Sequence, residues 1–225
     1  DATLTSLYPN NDQYYGACIW VLQNQGSSVE ATGNTFNGSN ALTFNLGTGT
    51  TLTESNNTDN TKYVVAKIGA EYYTSLADAF AAGGEVKVLQ NIVLAETAIV
   101  PAGKVVTLDL NGKTISQTKE CTASYEMICN KGNLTITGEG KMTLKAKNNR
   151  EWNAYSSVIS NNPGGYLVVE NGTIEHLGGT DMAYGVDNLT NGKGTYAETV
   201  INGGTIKSKY RAVRMFLNGI EAQNL

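Results

Sequence analysis

The stretch Val106-Thr107-Leu108-Asp109-Leu110-Asn111-Gly112-Lys113-Thr114-Ile115 joins a short alternating strand, an Asn-Gly turn and one further apolar residue. Three later segments repeat this pattern and end at Met142, Ile174 and Ile206. The intervals are 27 residues from Ile115 to Met142, 32 from Met142 to Ile174 and 32 from Ile174 to Ile206. Repeats of roughly 20 to 50 residues are typical of solenoids. No segment has enough helical periodicity for a helical repeat, so we expect the stacked unit to be β.

A second strand-length segment belongs to each repeat. These segments are Ser124–Ile128, Ser156–Ser160, Ala183–Asp187 and Tyr210–Phe216. One turn of the solenoid, called a rung below, therefore holds at least two strands joined by turns. The sequence predicts an all-β fold, a right-handed parallel β-helix.

Alternation along the strands predicts which side chains face the core. The inward set comprises Leu108, Leu110, Ile115, Leu134, Ile136, Met142, Leu167, Val169, Ile174, Ile201 and Ile206. At the turns we expect positive φ at Gly112, Gly172, Gly203 and Gly204, and a ladder of stacked amides formed by Asn111, Asn171 and Asn202.

One short helix interrupts the strand pattern near residues 74–83. Leu76, Ala79 and Phe80 form an apolar stripe, and Gly83 is placed to end the helix. Such a helix can cap the exposed end of a solenoid. We therefore interpret residues 63–225 as a capping helix and the opening rungs of one β-helix.

The N-terminal part repeats the same pattern. Tyr15–Leu22 is similar to Tyr210–Phe216, and Ser28–Phe36 is similar to the segment that ends at Ile174. Residues 1–62 are thus interpreted as the closing rungs of a β-helix. The chain is then an excerpt of a tandem array, in which Leu225 and Asp1 correspond to consecutive positions.

The stretch Ser75–Ile115 and the later Asn-Gly-Thr-Ile and Gly-Gly-Thr-Ile turns resemble the pectin-lyase-like right-handed parallel β-helix superfamily. The resemblance covers about two-thirds of the chain and extends to repeat-containing bacterial surface proteins and phage fibres. It implies the fold but not an activity, because the superfamily also includes polysaccharide lyases and hydrolases.

Composition narrows the class of protein. Of 225 residues, only 16% are charged, against about a quarter in average globular domains. The net charge of −4 without a basic run argues against a nucleic-acid partner, and no apolar run is long enough for a membrane span. Cys121 and Cys129 either pair across a loop or remain separate buried thiols, and no Cys/His spacing predicts a zinc site.

The sequence contains few residues in arrangements suited to catalysis. The outward residues align as Asp109, Thr135, Val168 and Val200, so we expect a single carboxylate there, as a solvated strand residue. His176 is interpreted as a surface turn residue, because no Ser or Cys with an Asp accompanies it. We predict no catalytic, cofactor-binding or metal-binding residues.

Three aromatic residues are the candidate ligand contacts: Trp152, Tyr155 and Tyr184. Exposed aromatic side chains beside arginine often contact carbohydrate or protein. The alternative is that Trp152 packs over the flank of the solenoid as a loop anchor.

These observations favour a non-catalytic, extracellular or cell-surface module that serves as a stalk, fibre or adhesin segment. The alternatives are a carbohydrate-active enzyme and a phage tail fibre on a virion, which would usually form a trimer. The partners expected are a second copy, bound end to end, or a host or glycan surface.

Overall fold

The computed structural model describes residues 3–6, 28–38, 51–60, 65–69, 71–120, 123–147, 155–178, 181–191 and 194–216. The chain forms two compact units, Asp1–Val65 with Ala70–Ser75, and Ala66–Gly69 with Leu76–Leu225. The interpretation of residues 1–62 and 63–225 as the end of one solenoid and the start of another stays a prediction.

The first unit contains five short strands that pair in parallel, β1 (Thr3–Ser6), β2 (Ser28–Thr32), β3 (Thr35–Gly38), β4 (Thr51–Ser55) and β5 (Thr58–Asn60). It also contains β7 (Glu71–Tyr73). One sheet has the order β1-β3-β5, and β2 pairs with β4. Gly33, with a φ of 68°, separates β2 from β3. The predicted Tyr15–Leu22 segment lies outside the described residues.

The second unit is a parallel β-solenoid of about four turns, and its described residues form three sheets and one helix. The first sheet contains β6 (Ala66–Ile68), β8 (Gly84–Val88), β11 (Val105–Asp109), β14 (Asn133–Thr137), β17 (Tyr166–Val169) and β20 (Glu198–Ile201). The second contains β9 (Ile92–Val93), β12 (Lys113–Glu120), β15 (Gly140–Lys147), β18 (Thr173–His176) and β21 (Thr205–Ser208). The third contains β10 (Ala98–Val100), β13 (Tyr125–Asn130), β16 (Ser156–Asn161), β19 (Ala183–Asn188) and β22 (Arg211–Met215). Successive strands pair in parallel from β8 onwards, whereas β6 is antiparallel to β8.

The second sheet confirms the predicted repeat. Ile115 pairs with Met142, Met142 with Ile174, and Ile174 with Ile206. The first three are fully buried, and Ile206 is half-buried in the last described strand of the sheet. The intervals of 27, 32 and 32 residues read from the sequence are therefore the lengths of successive rungs.

The first sheet has a register that the sequence did not predict. The predicted inward residues of β11, β14 and β17 are all fully buried. Asp109, however, pairs with Thr137, and Thr135 pairs with Thr107 and Val168. The predicted outward alignment of Asp109 with Thr135 is wrong, because the connection from Leu108 to Ile115 is longer than the one from Ile136 to Met142.

The predicted helix is present as α1 (Leu76–Ala82). Leu76, Ala79 and Phe80 are buried, and the helix packs against β10. Gly83 has a φ of 80°, and its N–H donates to the carbonyl of Ala79 at 3.1 Å. No helix among the described residues is both long and apolar enough to cross a membrane.

The turn glycines serve two different purposes. Gly172 and Gly204 have φ values of 88° and 79°, as predicted. Gly203 does not have a positive φ, so that prediction is wrong. A Cβ at Gly203 would lie 2.4 Å from the carbonyl oxygen of Glu170, so close backbone approach requires this glycine.

The asparagine ladder lies at the ends of the third-sheet strands, not at the predicted turns. Asn130 donates to Asn161 Oδ1 at 2.8 Å, and Asn161 donates to Asn188 Oδ1 at 3.1 Å. All three are buried. At the predicted positions, Asn111 Nδ2 donates to the carbonyl of Val88 and Asn202 Nδ2 donates to Glu170 Oε1.

Candidate functional site

The outward side of the third sheet carries the main cluster of polar and aromatic side chains. Two columns of register partners cross it: Glu126-Ser157-Tyr184-Arg211 and Cys129-Ser160-Asp187-Arg214. In each strand one residue between the columns, such as Val158 in β16, has no register partner. This interruption of the alternation lets residues three positions apart face the same side.

Asp187 and Arg214 form a bidentate ion pair on this side of the sheet. Arg214 Nε donates to Asp187 Oδ1 at 2.7 Å, and Nη2 donates to Oδ2 at 2.5 Å. The Asp187 side chain is fully buried, and that of Arg214 is 12% exposed. Two parallel charge-assisted bonds fix the plane of the guanidinium.

Three aromatic rings surround this guanidinium. Its Cζ lies 4.1 Å from the ring centroid of Tyr184 and 4.9 Å from those of Tyr155 and Phe216. Nη1 also donates to the Tyr184 hydroxyl at 3.2 Å. These distances are in the range of cation–π contacts. The five residues Tyr155, Tyr184, Asp187, Arg214 and Phe216 are called the Arg214 cluster below.

The structure thus brings together two of the three predicted ligand contacts. Tyr155 is half-buried, Tyr184 is 2% exposed, and Trp152 lies outside the described residues. Sequence reasoning missed Asp187 and Arg214. The sequence does indicate this pair, because aligning Tyr210–Phe216 with Ala183–Asp187 places Arg214 beside Asp187. A role for these aromatic residues in ligand binding stays a prediction.

Burial changes the acid–base properties of this side of the sheet. Desolvation raises the pKa of Asp187, and the hydrogen bond and charge of Arg214 partly offset that rise. Desolvation likewise raises the pKa of Glu126; the Cys129 hydrogen bond and the Lys131 charge partly offset that rise, and the Asp187 charge adds to it. Two carboxyl groups with raised pKa values therefore share one side of the solenoid.

Cys129 is a buried thiol without a disulfide. Burial and then the Glu126 charge raise the pKa of its thiol, which disfavours the reactive thiolate. Asn162 Nδ2 lies 3.3 Å from its sulfur. Cys121 lies outside the described residues.

Asp109 lies on the outward side of the first sheet. Its Oδ1 accepts from the Asn111 N–H at 2.8 Å, and its Oδ2 lies 3.9 Å from Lys87 Nζ. These residues line a shallow groove together with Lys67 and Thr137. Asp109 is therefore a turn-stabilising residue with a loose, solvent-exposed ion pair.

His176 lies inside the solenoid, which corrects its interpretation as a surface turn residue. It ends β18, faces the same side as Ile174, and is 2% exposed. Its Nε2 lies 2.7 Å from Ser156 Oγ and its Nδ1 lies 3.0 Å from the carbonyl oxygen of Gly178. With the proton on Nδ1, the ring donates to Gly178 and accepts from Ser156. Both partners of the Ser156–His176 pair are buried in the core, so the pair is structural.

We expect His176 to make stability depend on pH. Burial lowers the pKa of His176 from 6.5, so below pH 6.5 the unfolded chain takes up a proton that the folded chain resists. Stability should be complete above this pH and decrease as the pH falls below it. Urea unfolding of wild type and His176→Gln at several pH values tests this.

The same experiment separates His176 from the carboxyl groups. Glu126 and Asp187, with raised pKa values, change stability in the opposite direction, but they are common to both proteins. The stability difference between wild type and variant should therefore shrink at acidic pH. A difference that is constant with pH would contradict the prediction. His176 is the only histidine in the chain.

We expect Asp187→Asn to destabilise the second unit by about 1–3 kcal/mol, since Arg214 would lose its charged partner but keep some solvent contact. A double-mutant cycle with Arg214→Met measures the coupling between the two residues in urea unfolding. Additive effects would show that the pair contributes nothing beyond packing.

The described part of the second unit defines the protein as a parallel β-solenoid with a buried aliphatic core. Comparison with known proteins found no matching family model, no matching curated protein and no matching solved structure.

Proposed function

We propose that this chain is a structural β-solenoid module that acts outside the cell or at its surface, as a stalk, fibre or adhesin segment. The supporting observation is the in-register stacking of aliphatic residues from rung to rung, as in Ile115, Met142 and Ile174. Each rung contacts only its neighbours, so a solenoid gains length without a new core. This is a property that a stalk or fibre requires.

The composition of the chain supports the same role. Only 16% of the residues are charged, and Asn, Thr, Ser and Gly supply most of the polarity. The turn motifs resemble those of the pectin-lyase-like superfamily, which we propose as the family. Within it, the likeness to bacterial surface proteins fits the structural role.

An adhesive contact would use the aromatic residues near the Arg214 cluster. Tyr155 is half-buried and keeps part of its ring accessible, and Trp152 precedes it closely in the chain. Aromatic faces are suited to stacking on sugar rings or protein side chains. A host or glycan surface is the proposed partner.

The second candidate is a carbohydrate-active enzyme. It is favoured by Glu126 and Asp187, two carboxyl groups with raised pKa values on one side of the third sheet. Paired carboxyl groups perform general acid–base catalysis in glycoside cleavage. Asp187, however, is held by two hydrogen bonds to Arg214.

A panel of immobilised and soluble polysaccharides, acidic ones included, separates the two candidates. We expect binding without cleavage, with or without calcium, and weaker binding after Tyr155→Ala or Trp152→Ala. Tyr196→Ala is the control, because Tyr196 is 54% exposed but lies outside the cluster. Release of cleavage products from any substrate would overturn the proposal and favour the enzyme.

A further inference from the structure

Three Asn-Gly pairs lie in the connections from the first sheet to the second. They are Asn111-Gly112, Asn171-Gly172 and Asn202-Gly203. Asparagine is a thermolabile residue, and most so before glycine, because the main-chain nitrogen of the next residue can attack the side-chain amide carbon. Glycine has no Cβ to obstruct that approach. The structure holds the three pairs in different ways, so their reactivities should differ.

Hydrogen bonds restrain both residues of the first pair. Asn111 Nδ2 donates to the carbonyl of Val88 at 2.8 Å, which holds the side-chain amide in place. The Gly112 N–H donates to the carbonyl of Glu139 at 2.6 Å. Attack by the Gly112 nitrogen requires these bonds to break first, which raises the barrier to reaction.

The third pair is restrained in the same manner. Asn202 Nδ2 donates to Glu170 Oε1 at 2.9 Å. The Gly203 N–H donates to the carbonyl of Val169 at 3.2 Å. The side-chain amide and the attacking nitrogen are thus each bonded to the preceding rung rather than to one another.

The second pair has the opposite arrangement. The Gly172 N–H donates at 2.7 Å to Oδ1 of Asn171 itself, so the side-chain amide lies beside the nitrogen that would attack it. Within the described part of the chain, Asn171 Nδ2 has no acceptor and the Gly172 N–H donates to no main-chain carbonyl. Asn171 is also exposed, so water and hydroxide reach its amide.

We propose that Asn171 is a deamidation site of the folded protein and that hydrogen bonds protect Asn111 and Asn202. The Gly172 nitrogen loses its proton to hydroxide, and its electron pair forms a bond to Asn171 Cγ. The Cγ–Nδ2 bond breaks, ammonia leaves, and a cyclic imide remains. Water then opens the imide at either carbonyl and gives aspartate or isoaspartate. Water is the only co-reactant, so the modification does not depend on the function proposed above.

The two products differ in their effect on the solenoid. Aspartate leaves the main chain unchanged, whereas isoaspartate adds a methylene to it between Glu170 and Gly172. Both ends of this short segment are fixed to neighbouring rungs. The Glu170 N–H donates to the carbonyl of Ile136 at 2.9 Å, and the Gly172 carbonyl accepts from the next rung, from the Thr205 N–H at 2.8 Å. We therefore expect isoaspartate to shift the start of β18 and destabilise the second unit.

Peptide mapping of the folded protein after incubation at mildly alkaline pH tests the proposal. Cleavage after lysine, arginine and glutamate releases each pair in a peptide with a single asparagine, residues 105–113, 171–175 and 199–207. Mass spectrometry follows the conversion of amide to acid in each peptide. We expect Asn171 to deamidate about tenfold faster or more than Asn111 and Asn202, because those two must first lose their hydrogen bonds.

The same incubation in concentrated urea is the control. Unfolding removes the hydrogen bonds, so the three asparagines should then deamidate at similar rates. Equal rates in the folded protein, or a faster rate at Asn111 or Asn202, would overturn the proposal. An Asn171 peptide that stays unmodified in the folded protein but deamidates in urea would also overturn it.

Two variants separate the modification from its structural effect. Glutamine does not close the imide readily, so Asn171→Gln should abolish the mass change at this position. Asn171→Asp carries the charge of the product on a normal main chain and should unfold in urea like fresh wild type. Gly172→Ala is unsuitable, because Gly172 has a φ of 88° and a Cβ there would lie 2.6 Å from Leu110 Cδ1.

Urea unfolding after incubation then measures the damage. Wild type should lose stability during incubation, and Asn171→Gln, incubated in parallel, should lose less. The comparison removes the contribution of asparagines elsewhere in the chain, which both proteins share. An equal loss in the two proteins would overturn the assignment of the damage to Asn171.

Discussion

Replacing Val106 with aspartate is expected to unfold the second unit, whereas the same substitution at Val105 should be nearly neutral. The two valines are neighbours in β11, but Val106 is fully buried and Val105 is 62% exposed. Val106 pairs with Leu134 on one side and Gly84 on the other, inside the stacked core.

The size of the effect follows from burial. Losing a buried valine costs about 1.5–3 kcal/mol, and a buried carboxylate without a partner costs several kcal/mol more. The sum is comparable to the whole stability of a typical domain, about 5–15 kcal/mol. An exposed substitution such as Val105→Asp usually changes stability by about 0.5 kcal/mol or less.

Circular dichroism and urea unfolding of both variants test this prediction. A cooperative, wild-type-like transition for Val106→Asp would show that alternate residues of β11 do not face a common core. Equal destabilisation of both variants would show that the strand is buried on both faces.

The second sheet shows how far the sequence could predict the fold. The apolar residues after the turns, three Thr-Ile pairs and Met142, indicated the rung lengths, because a turn glycine precedes each of these strands. The register of the first sheet could not be predicted in the same way. The connection from the first to the second sheet shortens along the solenoid. Nothing local in the sequence shows how the longest of these connections, which contains Asn111 and Gly112, is accommodated.

The polar residues of the core were harder to predict than the aliphatic ones. His176 occupies an inward position of the same strand as Ile174, but with no Ser or Cys and Asp beside it the sequence favoured a surface turn residue. Its partner Ser156 is 20 residues away in sequence and lies on a different sheet. Burial of a polar residue depends on such a partner, and a single sequence does not show it.

The asparagine ladder does have a signal in the sequence. Cys129-Asn130, Ser160-Asn161 and Asp187-Asn188 each end one of the equivalent strands of the third sheet. The Asn-Gly turns favoured a ladder at Asn111, Asn171 and Asn202 instead. The side chain in the middle of the observed ladder, Asn161, gives the second prediction with a large effect.

We expect Asn161→Ala to destabilise the second unit by about 3–5 kcal/mol. Asn161 accepts from Asn130 and donates to Asn188 Oδ1 and to the carbonyl of Glu198, at 3.1 and 2.7 Å. Its removal leaves several buried polar groups with fewer partners, and each unsatisfied group costs about 1–3 kcal/mol. Water cannot readily replace the amide, because Asn130 and Asn188 are buried as well.

The control is Asn202→Ala. Asn202 likewise joins two neighbouring rungs, because its Nδ2 donates to Glu170 Oε1 at 2.9 Å, but that contact is exposed. Since water can replace an exposed hydrogen bond, we expect a loss of about 0.5 kcal/mol or less. Urea unfolding at one pH compares the two variants. Similar small losses would mean that the buried amides stack without stabilising the rungs, and backbone pairing and aliphatic packing would then hold the third sheet.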